Sequence, residues 1–256
     1  MKKTIFITGA TSGIGKSTAY LFAQNGYNLI LTGRRAERLE AIKADLETKY
    51  GAIVQTISMD VRDLASVQQG VASIDFKKFP TIDLLLNNAG LASGLGSIDE
   101  GLYSDWDVMI DTNVKGLLYV SREMIPILKN QGVGHIVNIS STAGKQVYAN
   151  GNVYCATKHA VDALSQSMRI DLLSYGIKVT AISPGACETE FSEVRFHGDK
   201  ERAQAVYEGF DPLRPEDIAE TIWYCANLPK HVCINDLTIT CLTQANANYN
   251  IKKKVY

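Results

Sequence analysis

Residues four apart on a helix share one face, and the stretch GNVYCATKHA puts Tyr154 and Lys158 in that relation. A phenol ordinarily titrates near 10, too high for efficient proton exchange at neutral pH. An ammonium about 4 Å away favours the phenolate by about 4 kcal/mol at an effective dielectric of about 20, which predicts a Tyr154 hydroxyl titrating near 7. The same lysine can hydrogen-bond a ribose. Ser141 stands thirteen residues before Tyr154, at the end of the apolar run HIVNISS, with a hydroxyl suited to the oxygen of a substrate carbonyl or alcohol. Asn113, a poor helix former inside DTNVKG, is expected to hold a water on a proton relay to Lys158, or else to mark a kink or local cap. Tyrosine and lysine at this spacing are common on helices, so the chemistry depends on elements that bring these side chains together.

Those elements are legible as an alternation. TIFITG and NLILTG are short apolar runs ending at turns, and each is followed by a segment with helical spacing: STAYLFAQNGY, then ERLEAIKADLETKYG. VQTISMDV, with a helix-like stretch from Leu64, and IDLLLNNAG continue the series, the latter reading as a strand buried on both faces. A long helical segment, WDVMIDTNVKGLLYVSREMIPILKN, precedes the strands GHIVNIS and IKVTAISPG, which are separated by the helix beginning near Tyr154. A helix from Pro215 and the run DLTITCL close the pattern. Alternation over residues 1–256 without a linker or repeat predicts one α/β domain: a Rossmann-type, doubly wound parallel sheet of about seven strands with helices on both faces. Ligands are then expected beyond the carboxyl ends of the strands.

The motifs fall at those ends. Thr8-Gly9-Ala10-Thr11-Ser12-Gly13-Ile14-Gly15 joins the first strand to the first helix, where glycines admit a pyrophosphate and the helix N-terminus supplies N–H groups. Gly9, Thr11, Ser12, Gly13, Ile14 and Gly15 are therefore assigned to a dinucleotide. NAD sites place an acid about 20 residues further on. Here that place holds Gly33, followed by Arg34 and Arg35, whose guanidiniums suit the 2′-phosphate of NADP(H). Asp60 and Val61 end the third strand, and Asn87 begins the asparagine pair after the fourth; Asp60 is expected to accept from the adenine amino group, and Asn87 either contacts the cofactor or ties loops together.

Composition narrows the partners. With 26 basic and 27 acidic residues the net charge is −1, and the only basic run is Lys252-Lys253-Lys254, so neither nucleic acid nor a membrane surface is expected. No apolar stretch approaches about 18 residues, and a cytoplasmic protein with a small-molecule substrate is the reading. Five cysteines without a CxxC pair read as reduced thiols, and no metal site is expected. Cys155, beside the reactive pair, reads as a small buried thiol.

TGATSGIG, NNAG, Asn113, Ser141, YCATK and Pro184-Gly185 resemble, in order and spacing over the whole chain, the single-domain short-chain dehydrogenases/reductases. The resemblance implies a catalytic Ser141-Tyr154-Lys158 triad with Asn113 assisting, cofactor contacts from Tyr154 and Lys158, and a segment with Pro184, Gly185 and Thr189 closing over the nicotinamide. GRRAERL, TEFSEVRFHGD, RPEDIAETIW and LPKHVCIN are similar to the NADP-dependent 3-hydroxy acid dehydrogenases within that family. This implies homotetramers that oxidise serine, L-allo-threonine and related acids at C3. The polar segment of about residues 186–212 is expected to form a lid, with Arg195 either pairing with a substrate carboxylate or simply exposed. A reductase of other ketones, 3-oxoacyl thioesters or sugars, and a non-catalytic NADP(H) sensor, remain alternatives at this level.

Overall fold

A computed structural model describes residues 2–253, so Lys254 of the basic run lies outside the described residues. Seven strands form one parallel sheet: β1 (Thr4–Ile7), β2 (Asn28–Gly33), β3 (Val54–Ser58), β4 (Leu84–Asn87), β5 (Gly134–Ile139), β6 (Ile177–Pro184) and β7 (Asp236–Ile239). Their order is β3-β2-β1-β4-β5-β6-β7, with every neighbouring pair parallel. Parallel neighbours need crossovers, and the helices that supply them cover both faces. This is the doubly wound architecture read from the sequence, with the predicted strand count.

Alternation along each strand decides which cluster a side chain joins. On one face Ile5, Ile7, Leu29, Leu31 and Leu86 pack with Phe22 of α1 (Gly13–Gln24), Leu39 of α2 (Ala36–Tyr50) and Ile222 of α9 (Pro215–Ala226). On the other face Phe6, Ile30, Leu85 and Ile136 pack with Val67 of α3 (Leu64–Ala72), Met124 of α5 (Leu117–Gln131) and Val161 of α6 (Asn152–Leu172). Each buried Phe, Ile or Leu contributes roughly 1.5–3 kcal/mol through water exclusion. Phe22, Tyr27 and Trp223 meet edge to face, with centroids 4.9 and 5.0 Å from Phe22, and fasten α1 to α9.

The winding direction reverses between β1 and β4, which are neighbours in the sheet, and so opens a crevice above their carboxyl ends. Two departures from regular structure lie around it. The long helix expected before β5 is α4 (Tyr103–Ile110) running into α5 through a π-helical turn, Asp111–Gly116. The segment after β6 carries two short helices, α7 (Phe191–Arg195) and α8 (Lys200–Ala205). Backbone bonds from Leu213 N–H to Ala186 and from Glu188 N–H to Leu213 close its base at 2.9 and 2.8 Å. An isolated parallel bridge between Cys187 and Leu213 thus joins the two ends of this segment.

Candidate active site

A cleft of about 520 Å³ runs across the carboxyl ends of the strands. One wall is the loop from β1 into α1. Gly9, Thr11, Ser12, Gly13 and Ile14 line it, and α1 begins with neither an acidic first turn nor a side-chain cap, so its N–H groups have no anionic partner. Gly15 has another task. A Cβ there would lie 2.4 Å from the Gly9 carbonyl, so the third glycine lets α1 press on the loop and does not line the cleft.

The two arginines after β2 separate in role. Arg35 donates to Thr11 Oγ1 at 2.7 Å and Ser12 Oγ at 2.9 Å, and pairs with Glu190, just before α7, at 2.9 Å. Arg38 holds the same carboxylate at 2.8 Å. These groups are more than two-fifths exposed, so the pairs are worth less than about 1 kcal/mol each. Arg34 also lines the cleft and has no hydrogen bond or ion pair among the described residues. Its guanidinium is the one left free for a phosphate.

At the neighbouring strand ends Asp60 lines the cleft, and Asn87 takes the structural one of its two expected roles. Arg62 grips both carboxylate oxygens of Asp60 at 2.6 and 3.0 Å and holds the acid below its ordinary range. Asn87 is buried away from the cleft, donating to Ser121 Oγ at 3.1 Å and Asn138 Oδ1 at 2.9 Å. Successive residues at a strand end face opposite ways, so Asn88 turns to the cleft where Asn87 does not, and Ala89 and Gly90 of the following loop line it too. Asn88 in turn donates to the Thr8 and Gly9 carbonyls at 2.9 and 3.1 Å, which fixes the glycine loop. Val61 stays on the cleft wall, as do Pro184, Gly185 and Thr189.

The reacting side chains converge at the other end. Ser141 leaves β5 at the cap of a short 3-10 turn, Thr142–Gly144, and accepts from Ala143 N–H at 3.1 Å. Ser140 turns away toward the Lys158 carbonyl at 3.3 Å, which separates the two serines of NISS. Tyr154 and Lys158 sit in the first two turns of α6, and both line the cleft with Ser141. Cys155 is fully buried and burial pushes its thiol up, so it is an un-ionised core group.

The expected near-neutral titration of Tyr154 is not what the structure gives. Burial drives the phenol well above 10, aided by Tyr148, while Arg195 and Ser141 pull the other way without prevailing. Lys158 is held by the strand beside it. It donates to the Ile139 carbonyl at 2.9 Å, its ammonium lies 5.9 Å from the centre of the Tyr154 ring, and burial pulls it down to about 8. Helical spacing brought the two onto one face, but the β5 carbonyl competes for the ammonium. Tyr154 is therefore a neutral phenol in the free protein.

Asn113 sits in the π-helical turn, the irregularity that is one of its two readings. Its side chain exchanges two bonds with Leu91, N–H to Oδ1 at 2.9 Å and Nδ2 to the carbonyl at 2.8 Å, and also donates to Thr157 Oγ1 at 3.0 Å. Both amide protons are thereby engaged, and Asn113 pins the π-helical turn to α6 and to the loop after β4.

Several further residues of the cleft are not singled out from the sequence. Tyr148, Phe191, Val194 and Leu91 surround Tyr154, and Gln244 accepts from Ala186 N–H at 2.8 Å from the C-terminal segment. Arg195 rests over the Tyr154 ring, 5.0 Å from its centre, within reach of the Phe191 ring at 5.5 Å. Its Nη2 donates to Tyr148 Oη at 2.6 Å, whereas Nε is buried with no partner among the described residues.

Residues 3–200 match the model of the short chain dehydrogenase family. The chain belongs to that family. It is 45% identical over 250 residues, 97% of this chain and 99% of the relative, to an NADP-dependent 3-hydroxy acid dehydrogenase of Salmonella typhi. It is 41% identical to the serine 3-dehydrogenase of Agrobacterium fabrum, over 99% of this chain and all of that one. Among solved structures, the closed form of serine dehydrogenase complexed with NADP+ superposes with a TM-score of 0.90 at 42% identity, covering 97% of this chain and 98% of that chain.

Proposed function

We infer that this protein is an NADP-dependent oxidoreductase that moves a hydride between nicotinamide and the C3 carbon of 3-hydroxy acids such as serine, L-allo-threonine and 3-hydroxypropionate. One observation carries the reading: a single cleft has an unengaged guanidinium edge at each end. Arg34 lines the cleft beside the glycine loop with no partner among the described residues, and Arg195 lines it with Tyr154 and Ser141 and has a buried, unpartnered Nε. The relatives named above supply the cofactor and the substrate class.

The bound dinucleotide supplies the hydride acceptor or donor. The residues of this chain do the rest. The α1 N-terminus and its glycine loop receive the pyrophosphate, Arg34 selects the phosphorylated ribose, and Lys158, fixed by the Ile139 carbonyl, stands ready for a ribose hydroxyl. Ser141 donates to the substrate oxygen at C3, and Tyr154 gives that oxygen a proton or takes one. Arg195 takes the carboxylate, and Phe191 and Val194 on the lid exclude water from the reacting carbon.

A homotetramer belongs to the same reading, supported by the exposed apolar side chains of Leu118, Ile170 and Leu173 on α5 and at the end of α6. A cytoplasmic setting is supported by five unpaired thiols. The cofactor assignment is tested by replacing Arg34 with Ala and comparing kcat/KM for NADP and NAD. The ratio is expected to fall at least about 30-fold, one lost charge-assisted contact of roughly 2 kcal/mol, with a smaller fall for Arg35→Ala. An unchanged ratio in Arg34→Ala contradicts the assignment.

A further inference from the structure

We propose that Tyr148 is a specificity-determining positioning residue: its hydroxyl locks the Arg195 guanidinium in the orientation that receives a substrate carboxylate. The proposal rests on the reading of Arg195 given above and adds the device that aims it.

An arginine carried on a five-residue lid helix has several rotatable bonds and loses side-chain entropy when fixed. Something must hold it if it is to recognise a planar anion through two parallel hydrogen bonds. Two kinds of contact do so. The Tyr148, Tyr154 and Phe191 rings flank the guanidinium at 5.8, 5.0 and 5.5 Å, which restricts its plane. Stacking alone leaves rotation within that plane free. The 2.6 Å bond from Nη2 to Tyr148 Oη removes it, because it ties one corner of the fork and leaves Nε, buried and without a partner among the described residues, for an incoming acceptor.

Tyr148 is itself built into place. It sits between Ser141 and α6, and burial pushes its phenol up, so it remains a neutral acceptor at physiological pH. Its ring lies against Gly151, where a Cβ would approach to 2.3 Å, so the residue before α6 must be glycine for the ring to fit. Gly94 N–H donates to the Arg195 carbonyl at 2.9 Å and anchors the other end of the same residue. The lid arginine is thereby referenced to the catalytic segment that carries Ser141 and Tyr154. A 3-hydroxy acid has its carboxyl carbon two bonds from C3, so the anchor for one end must be fixed relative to the acid/base at the other.

The test is a double-mutant cycle in the intact protein with NADP+, read as the ratio of kcat/KM for 3-hydroxypropionate to that for 1,3-propanediol, which lacks the carboxylate. Tyr148→Phe keeps the ring against Gly151 and removes only the hydroxyl. The ratio is expected to fall about tenfold, as for one hydrogen bond to a charged group, mainly through KM for the acid. In an Arg195→Ala background the same substitution is expected to leave the ratio within about twofold, since nothing remains to be aimed. Equal losses on acid and diol, or an undiminished effect of Tyr148→Phe without Arg195, would overturn the proposal while leaving the carboxylate reading intact. An Arg195→Ala ratio equal to that of the parent would overturn both.

Discussion

Tyr154→Phe is expected to reduce turnover by about 10³-fold or more, the scale of losing a positioned proton-transfer group, while binding of NADPH followed by its fluorescence stays within a few-fold of the parent. The ring keeps its place against Phe191, 5.6 Å between centroids, so the cleft retains its shape and only the hydroxyl is lost. The direction of the reaction adds a pH signature. Because burial holds the Tyr154 phenol above its ordinary value, its acid form predominates at neutral pH and can give a proton to a carbonyl oxygen directly. Alcohol oxidation requires the base form, whose fraction rises about tenfold per pH unit below the effective pKa. Oxidation is therefore expected to accelerate with rising pH near neutrality, and carbonyl reduction to be much flatter. Turnover within tenfold of the parent in Tyr154→Phe would remove Tyr154 from the proton transfer.

The second large effect belongs to Arg195. Arg195→Ala is expected to lower kcat/KM for 3-hydroxypropionate by about 100-fold, or about 2.7 kcal/mol, when a charge-assisted, partly buried contact to a carboxylate disappears. The loss is expected mostly in KM, because the carboxylate does not change charge during hydride transfer and the contact is shared by ground and transition states. A loss confined to kcat would mean that Arg195 acts on the reacting centre, a few ångströms away through the Tyr154 ring, and not on the carboxylate.

Both predictions depend on features that differ in how openly the sequence displays them. The sheet was legible because parallel strands buried on both faces read as unbroken apolar runs and their crossover helices as amphipathic ones. The glycine loop, Ser141, Tyr154 and Lys158 were legible because a strand-to-helix turn and a thirteen-residue interval are local patterns. What stayed hidden is non-local or a matter of a single hydrogen bond. Arg35 looked equivalent to Arg34 until Glu190, 155 residues away in the chain, was found to occupy it. Asn87 and Asn88 differ only in which way a strand end points. Lys158 fits the phenol by helical spacing, yet it also donates to the Ile139 carbonyl, and that partner belongs to β5, 19 residues back in the chain.

Asn113 shows the same limit from the backbone side. A poor helix former in DTNVKG signals an irregularity, but the extra residue of a π-helical turn is not encoded in any short pattern, and neither are the Leu91 and Thr157 partners that absorb the amide. Tyr148 carried a faint signal, the glycine that opens the catalytic helix. Only the packing of the phenol ring on Gly151 gives that signal meaning.

The most direct measurement is the appearance of NADPH when the purified protein is given NADP+ and either 3-hydroxypropionate or 1,3-propanediol, which share the primary alcohol and differ in the carboxylate. A guanidinium anchor and a Ser-Tyr acid/base centre in one cleft predict kcat/KM for the acid at least about 100-fold above that for the diol. Equal or faster turnover of the diol would contradict the assignment of the cleft to 3-hydroxy acids.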